Sequence, residues 1–145
     1  LESILKRLKP IASKRNIELV LESYRPVTAE CDEVKLTLAL SNLVENAIKY
    51  NHSDGQVTVN AYKNQKHIYL SVEDTGSGIP KELRERVFEP FFRVDKSRSR
   101  ELGGVGLGLA LVHEIVRVHD GSISIKSNPA GGTIFEVIFD QKSKE

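Results

Sequence analysis

Asp32-Glu33-Val34-Lys35-Leu36-Thr37-Leu38-Ala39-Leu40-Ser41-Asn42-Leu43-Val44-Glu45-Asn46-Ala47-Ile48-Lys49-Tyr50 carries two patterns at once. Leu36, Leu40, Leu43, Val44, Ala47 and Ile48 recur at helical spacing and predict one apolar face laid on a sheet. Asp32 is placed to cap the helix, with Glu33 in its first turn. Opposite the apolar face stand Asn42, Glu45, Asn46, Lys49 and Tyr50, spaced i, i+3, i+4, i+7, i+8. Such a face is ordinarily just solvated. Two Asn at i and i+4, however, are poor helix formers with no surface advantage over Glu or Lys. Their amide oxygens, with a carboxylate one turn away, are hard ligands suited to a partly hydrated, octahedral Mg²⁺. Lys49 then stands where it could meet a phosphate, and Tyr50 where its ring could stack on a base.

Outward from this helix the pattern alternates. Ile4, Leu5, Leu8, Ile11 and Ala12 mark a helix over 1–15 that Pro10 is expected to kink or break. Ile17 to Leu21 reads as a strand, with a short extended piece at Val27 to Cys31 that could pair with it. Gln56 to Tyr62 and His67 to Val72 form a predicted hairpin turning at Lys63 to Lys66. A short helix near Lys81 to Val87 precedes a longer one over Leu107 to His119. Asp120-Gly121 turns the chain into closing strands at Ile123 to Lys126 and Thr133 to Phe139. About three helices and five strands, mostly in hairpins, favour an α+β two-layer sandwich with a mixed, mostly antiparallel sheet.

Composition narrows the class. With 145 residues, one domain over 1–145 is the expectation, its polar tail fraying from about Gln141. The 21 basic residues nearly balance 20 acidic ones, which argues against nucleic acid as a partner. One Cys, Cys31, permits no internal disulfide and fits a reducing, cytoplasmic setting. No apolar run approaches the length of a membrane-spanning helix, so this segment is read as not membrane-inserted. The absence of any Met reads as a piece of a longer chain.

Three further stretches bear on chemistry. Glu73-Asp74-Thr75-Gly76-Ser77-Gly78-Ile79-Pro80 follows a strand and sets a carboxylate beside backbone that a flat ligand can approach. Asp74 could accept from an exocyclic amine such as adenine's, or it could merely cap the next helix. Gly103-Gly104-Val105-Gly106-Leu107-Gly108-Leu109 opens a helix, where free N–H groups and the dipole favour an anion. It is neither a dinucleotide fingerprint nor a Walker A loop, since no strand precedes it and no Gly-Lys-Ser/Thr follows. Between these two, Phe88, Phe91 and Phe92 anchor a basic run from Arg93 to Arg100 that reads as a solvated loop or a mobile flap.

In this order, Asn-Leu-Val-Glu-Asn, Asp-x-Gly-x-Gly, the Phe cluster, Gly-x-Gly-x-Gly and Gly-Gly-Thr resemble the catalytic ATP-binding domain of sensor histidine kinases, of the Bergerat-fold ATPase superfamily. The resemblance runs from the first helix to the last strand. It implies ATP (or ADP) and Mg²⁺ as ligands, with Asn42 and Asn46 at the metal and Glu45 near its waters. It further implies Lys49 at the phosphates, Tyr50 on the adenine, and Asp74 accepting from the adenine amino group. Gly76, Gly78 and Ile79 would shape the pocket wall, and Thr133 would lie at its adenine end. Arg93 would touch the γ-phosphate from a mobile lid, with Lys96, Arg98 and Arg100 as further lid cations. Gly104, Gly106, Leu107 and Gly108 would line the phosphates with backbone N–H groups.

The resemblance also implies partners. The γ-phosphoryl group would pass to a His on a separate dimerisation domain, and onward to a response regulator's receiver domain. None of His52, His67, His113 and His119 sits in an acceptor motif, so the acceptor is expected upstream of Leu1. The isolated segment is expected to be monomeric, the cytoplasmic part of a membrane-anchored sensor. The alternatives are a stand-alone ATPase of the same superfamily or a Ser/Thr kinase of the anti-sigma-factor type. ATP-hydrolysing members usually carry a Glu where Asn42 stands, which favours phosphotransfer. Asn51-His52 departs from the small or Ser/Thr-Pro residues often found there.

Overall fold

The computed structural model describes residues 2–22, 33–64, 66–90, 108–129 and 131–140. They form α1 (Glu2–Lys14), β1 (Glu18–Glu22), α2 (Glu33–Lys49), β2 (Gln56–Lys63), β3 (His67–Asp74), α3 (Gly108–Val118), β4 (Ser122–Ser127) and β5 (Thr133–Asp140). The sheet runs β1-β2-β3-β5-β4, with β1 parallel to β2 and every other pairing antiparallel. The parallel pair is the one joined across α2, as a parallel connection needs a crossover rather than a hairpin.

Side-chain alternation decides which face is covered. Val57, Val59 and Ala61 of β2, Val72 of β3, and Phe135, Val137 and Phe139 of β5 point inward and are buried. All of these but Ala61 share one core cluster with Leu8 and Ala12 of α1, Leu43, Val44 and Ile48 of α2, and Val112, Ile115 and Val116 of α3. The opposite sheet face carries Thr58, Asn60 and Tyr62 beside Glu73, Ser71 and Tyr69. There Tyr62 and Tyr69 stack at a centroid distance of 4.7 Å. The architecture is the expected open two-layer α+β sandwich.

Two expectations need correction. Pro10 does not break α1, which runs through it to Lys14. Pro10 and Lys6, whose carbonyl loses its partner, both face solvent, so water can take the freed acceptor. The helix instead ends at Asn16, with φ of 55°, where Ile17 N–H donates to Ala12 O and Asn16 N–H to Ser13 O. That is a Schellman cap with Asn in the left-handed position. The short helix near Lys81 to Val87 is two single 3₁₀ turns, Lys81–Leu83 and Arg86–Phe88. Only Val87 among those six residues is buried, too little apolar face to hold a longer α-helix. The piece at 27–31, the Asp32 cap, the basic lid and the tail from 141 lie outside the described residues.

Candidate functional site

The end of β3 and the end of α2 meet. Asp74, the last residue of β3, is paired with Val57 and turns its side chain into the edge of the core, where it is buried. Its Oδ1 accepts from Gly76 N–H at 2.9 Å and from Thr133 N–H at 3.2 Å. Among the described residues Oδ2 takes no hydrogen bond, yet no side-chain oxygen or nitrogen there is both buried and unpartnered. Oδ2 is therefore the atom of this carboxylate that still reaches solvent. Burial pushes the Asp74 carboxyl above its ordinary value, and the two N–H donors and the His52 charge draw it partly back.

Close backbone approach builds the rest of this end. A Cβ on Gly132 would lie 2.2 Å from Asp74 O, and its φ of 99° is left-handed territory. A Cβ on Gly76 would lie 2.6 Å from Tyr50 O, so the turn after Asp74 passes directly beneath the end of α2. Asn128 Nδ2 donates to Asp74 O at 2.9 Å and ties the β4–β5 turn to the same carboxylate-bearing residue. Gly78, with φ of 78°, faces Gly132 across the turn. Ile79 packs half-buried against the core.

The polar face of α2 lies on the side where α3 begins. Asn42 and Asn46 are half-buried, Glu45 exposed, and Lys49 and Tyr50 half-buried. Asn42 Nδ2 donates to Leu38 O at 2.9 Å, which leaves Oδ1 directed away from its own helix. That oxygen lies 3.1 Å from where a Cβ on Gly108 would sit, at the first turn of α3. A helix N-terminus carries unpaired N–H groups and a positive partial charge. The amide oxygen of Asn42 thus faces the first described turn of α3. Glu45 and Asn42 also border a groove of about 400 Å³ between α1 and α2, floored by Leu8, Ile11 and Leu38.

The structure thus brings together Asn42 with Gly108, and Tyr50, Asp74, Gly76 and Thr133 with one another. Arg93, Lys96, Arg98, Arg100, Gly104, Gly106 and Leu107 lie outside the described residues. Two participants escaped the sequence reading. Asn128 sits in a turn, and Asn51 stands out in the sequence only as a departure from the family pattern, although it is fully buried and hydrogen-bonded to Thr75 Oγ1. The signal available was a run of polar turn residues, which does not say which one is buried.

A family model describing histidine kinase-, DNA gyrase B- and HSP90-like ATPases matches residues 31–143. The chain belongs to this family. Its relatives within it include sensor histidine kinases. The chain is 42% identical over 123 residues to sensor histidine kinase WalK of Bacillus subtilis, covering 83% of this chain and 20% of WalK. It is 42% identical over 129 residues to the sensor-like histidine kinase SenX3 of Mycolicibacterium smegmatis, covering 89% of this chain and 34% of SenX3. The chain therefore spans a fifth to a third of the curated relatives it matches. The catalytic domain of histidine kinase ThkA superposes with a TM-score of 0.84 at 26% identity, over 97% of this chain and 89% of that one. The mycobacterial sensor histidine kinase MprB gives 0.81 at 30% identity, over 99% and 95%. The chain is a catalytic ATP-binding domain of the sensor histidine kinase type. Among the described residues, no helix is long and apolar enough to cross a membrane.

Proposed function

We propose that this domain binds Mg²⁺-ATP and donates the γ-phosphoryl group to a His on a separate dimerisation domain of the same kinase. A response regulator's receiver domain is the onward acceptor, and the whole is a membrane-anchored sensor with this domain in the cytoplasm. The observation that carries the reading is the Asp74 carboxylate, held through Oδ1 by two backbone N–H groups with Oδ2 left for a ligand donor. An adenine amino group is such a donor, and Thr133 and Gly76 border the position it would take.

The phosphates would then run along the polar face of α2 toward the start of α3. Among the described residues no three His, Cys, Asp or Glu side chains converge on a metal position. The oxygen donor beside α3 is instead the amide of Asn42, and Asn46, one turn further along α2, would supply a second. Neutral oxygen donors in small number fit Mg²⁺, which keeps waters and shares phosphate oxygens. When bound, the ion supplies charge neutralisation at the phosphates. Lys49 would add a cation at the end of the same face, and Glu45 would hold water near the ion. By the family resemblance, Arg93, Lys96 and Arg98 and the N–H groups of Gly104, Gly106, Leu107 and Gly108 would complete the cradle; of these only Gly108 lies among the described residues.

Phosphoryl transfer asks the protein mainly for positioning and electrostatic stabilisation. The acceptor imidazole attacks the γ-phosphorus through a neutral ring nitrogen, the bond to the β–γ bridging oxygen breaks, and ADP departs. No strong general base is required of this chain, and Asn42 supplies none. The test is transfer of label from γ-labelled ATP to the parent kinase's dimerisation domain. Acid-labile, base-stable phosphate on its His that disappears with Asn46→Ala supports the reading. Label released only as inorganic phosphate overturns it in favour of a simple ATPase.

A further inference from the structure

Asn51, the second residue after α2, is polar and has no solvent exposure. Its Nδ2 donates to Gln56 O at 3.0 Å, and its Oδ1 accepts from Thr75 Oγ1 at 3.2 Å and from His52 N–H at 2.8 Å. Thr75 Oγ1 in turn accepts from Gln56 N–H at 3.0 Å. Three residues from the end of α2, the start of β2 and the turn after β3 thus close one ring of hydrogen bonds. Each polar group in the ring has its partner. Asn51 is buried, Thr75 half-buried and Gln56 exposed, so the ring runs from the interior to the surface with its buried member fully satisfied. That is the condition under which a buried polar group rigidifies rather than weakens a fold.

There is no slack around it. A Cβ on Gly55 would lie 2.3 Å from Asn51 Oδ1, and one on Gly76 would lie 3.2 Å from Asn51 Cα. From the far side, the Arg15 guanidinium donates to Lys49 O and, at 3.3 Å, to Asn51 O. A cation there also complements the negative end of the helix.

We infer that Asn51 and Thr75 are positioning residues that set the span between the phosphate-facing helix α2 and the adenine-facing turn at Asp74. Thr75 stands between Asp74 and Gly76, so its hydroxyl joins the adenine end of the site to Asn51, two residues beyond the helix that bears Asn42, Asn46 and Lys49. A ligand that touches only one end is indifferent to this span. A nucleotide that must reach both ends depends on it. The inference rests on the nucleotide-binding reading above and adds to it a pair of residues that touch neither base nor phosphate.

The test compares adenosine, which reaches one end, with Mg-ADP, which reaches both, by chemical-shift titration of the domain. Thr75→Val keeps the shape and removes the hydroxyl. It should weaken Mg-ADP by about ten-fold or more while changing adenosine by less than about three-fold, the scale expected from sub-ångström misplacement. Thr75→Ser should restore Mg-ADP to within about three-fold of the unmodified chain. Asn51→Ala should repeat the Thr75→Val pattern; should it fail to fold, the Thr75 pair carries the test. Parallel loss of both ligands, loss of neither, or no rescue by Ser would overturn the inference. An unmodified chain that binds neither ligand would overturn the nucleotide-binding reading itself, and this inference with it.

Discussion

The two ends of the site are built from different materials. At the Asp74 end, backbone groups do the holding: Gly76 N–H and Thr133 N–H fix the carboxylate, and Gly132 lies so close that no Cβ fits. At the α2–α3 end, the groups on offer are side chains on a helix face, with Asn42 turned toward Gly108 and Glu45 exposed. Rigid backbone suits recognition of a flat base with one fixed donor. A row of side chains suits phosphates and a hydrated ion, whose contacts are several and charge-dominated. Damage to the first end should therefore appear as lost fold or lost base recognition, and damage to the second as lost metal dependence.

The largest effect should come from Gly132→Ala. The added Cβ collides with Asp74 O and a left-handed φ is imposed on Ala, so destabilisation of about 3 kcal/mol or more is expected in urea unfolding. A stable Gly132→Ala variant that still binds ATP would break the distinction between the ends.

Asp74→Asn comes next and separates recognition from stability. It keeps an acceptor for both N–H groups but turns the outward oxygen into a donor, so ATP affinity should fall by roughly 10–100-fold. Stability should move the other way. Because burial raises the Asp74 carboxyl above 3.8, the folded state holds its proton more tightly than the unfolded chain. Stability from this group is then fully present below that value and declines as pH rises through the raised one. Asp74→Asn should remove that decline and leave the ligand-free domain at least as stable at neutral pH, as denaturant titrations from acid to neutral pH would read.

Asn46→Ala should weaken ATP binding by roughly ten-fold with Mg²⁺ present and hardly at all with chelator, a loss of about one charge-assisted contact. Equal losses in both conditions would merge the two ends into one. The smallest effect is a control. Asp120 closes α3 in the left-handed position with φ of 56°, where Gly121 N–H donates to Val116 O. Asp120→Gly should stabilise by about 0.5 kcal/mol and leave ATP binding untouched.

Helix α2 was legible from the sequence because its two faces differ in chemistry, and periodicity alone sorts Leu43 and Ile48 from Asn42 and Asn46. Asp74 was legible because a carboxylate and two alternate glycines follow directly on a strand. Asn51 was not, since nothing local distinguishes a buried turn Asn from a solvated one. Its role exists only once β3 brings Thr75 beside it, 24 residues on. Pro10 misled for a related reason: the penalty for a helical Pro depends on whether the freed carbonyl meets water, which is a matter of tertiary exposure. The 3₁₀ turns at 81–88 show the same dependence, a helical composition without enough buried face to sustain a helix.

The measurement that bears most directly on the account is calorimetric titration of the domain with ATP, with and without Mg²⁺, beside Asp74→Asn. Saturable binding of one ATP per chain, strengthened by Mg²⁺ and weakened by roughly ten-fold or more in the folded variant, is the predicted result. Undiminished binding by Asp74→Asn would contradict the assignment of the adenine to this carboxylate, and with it the account of how the site reads its ligand.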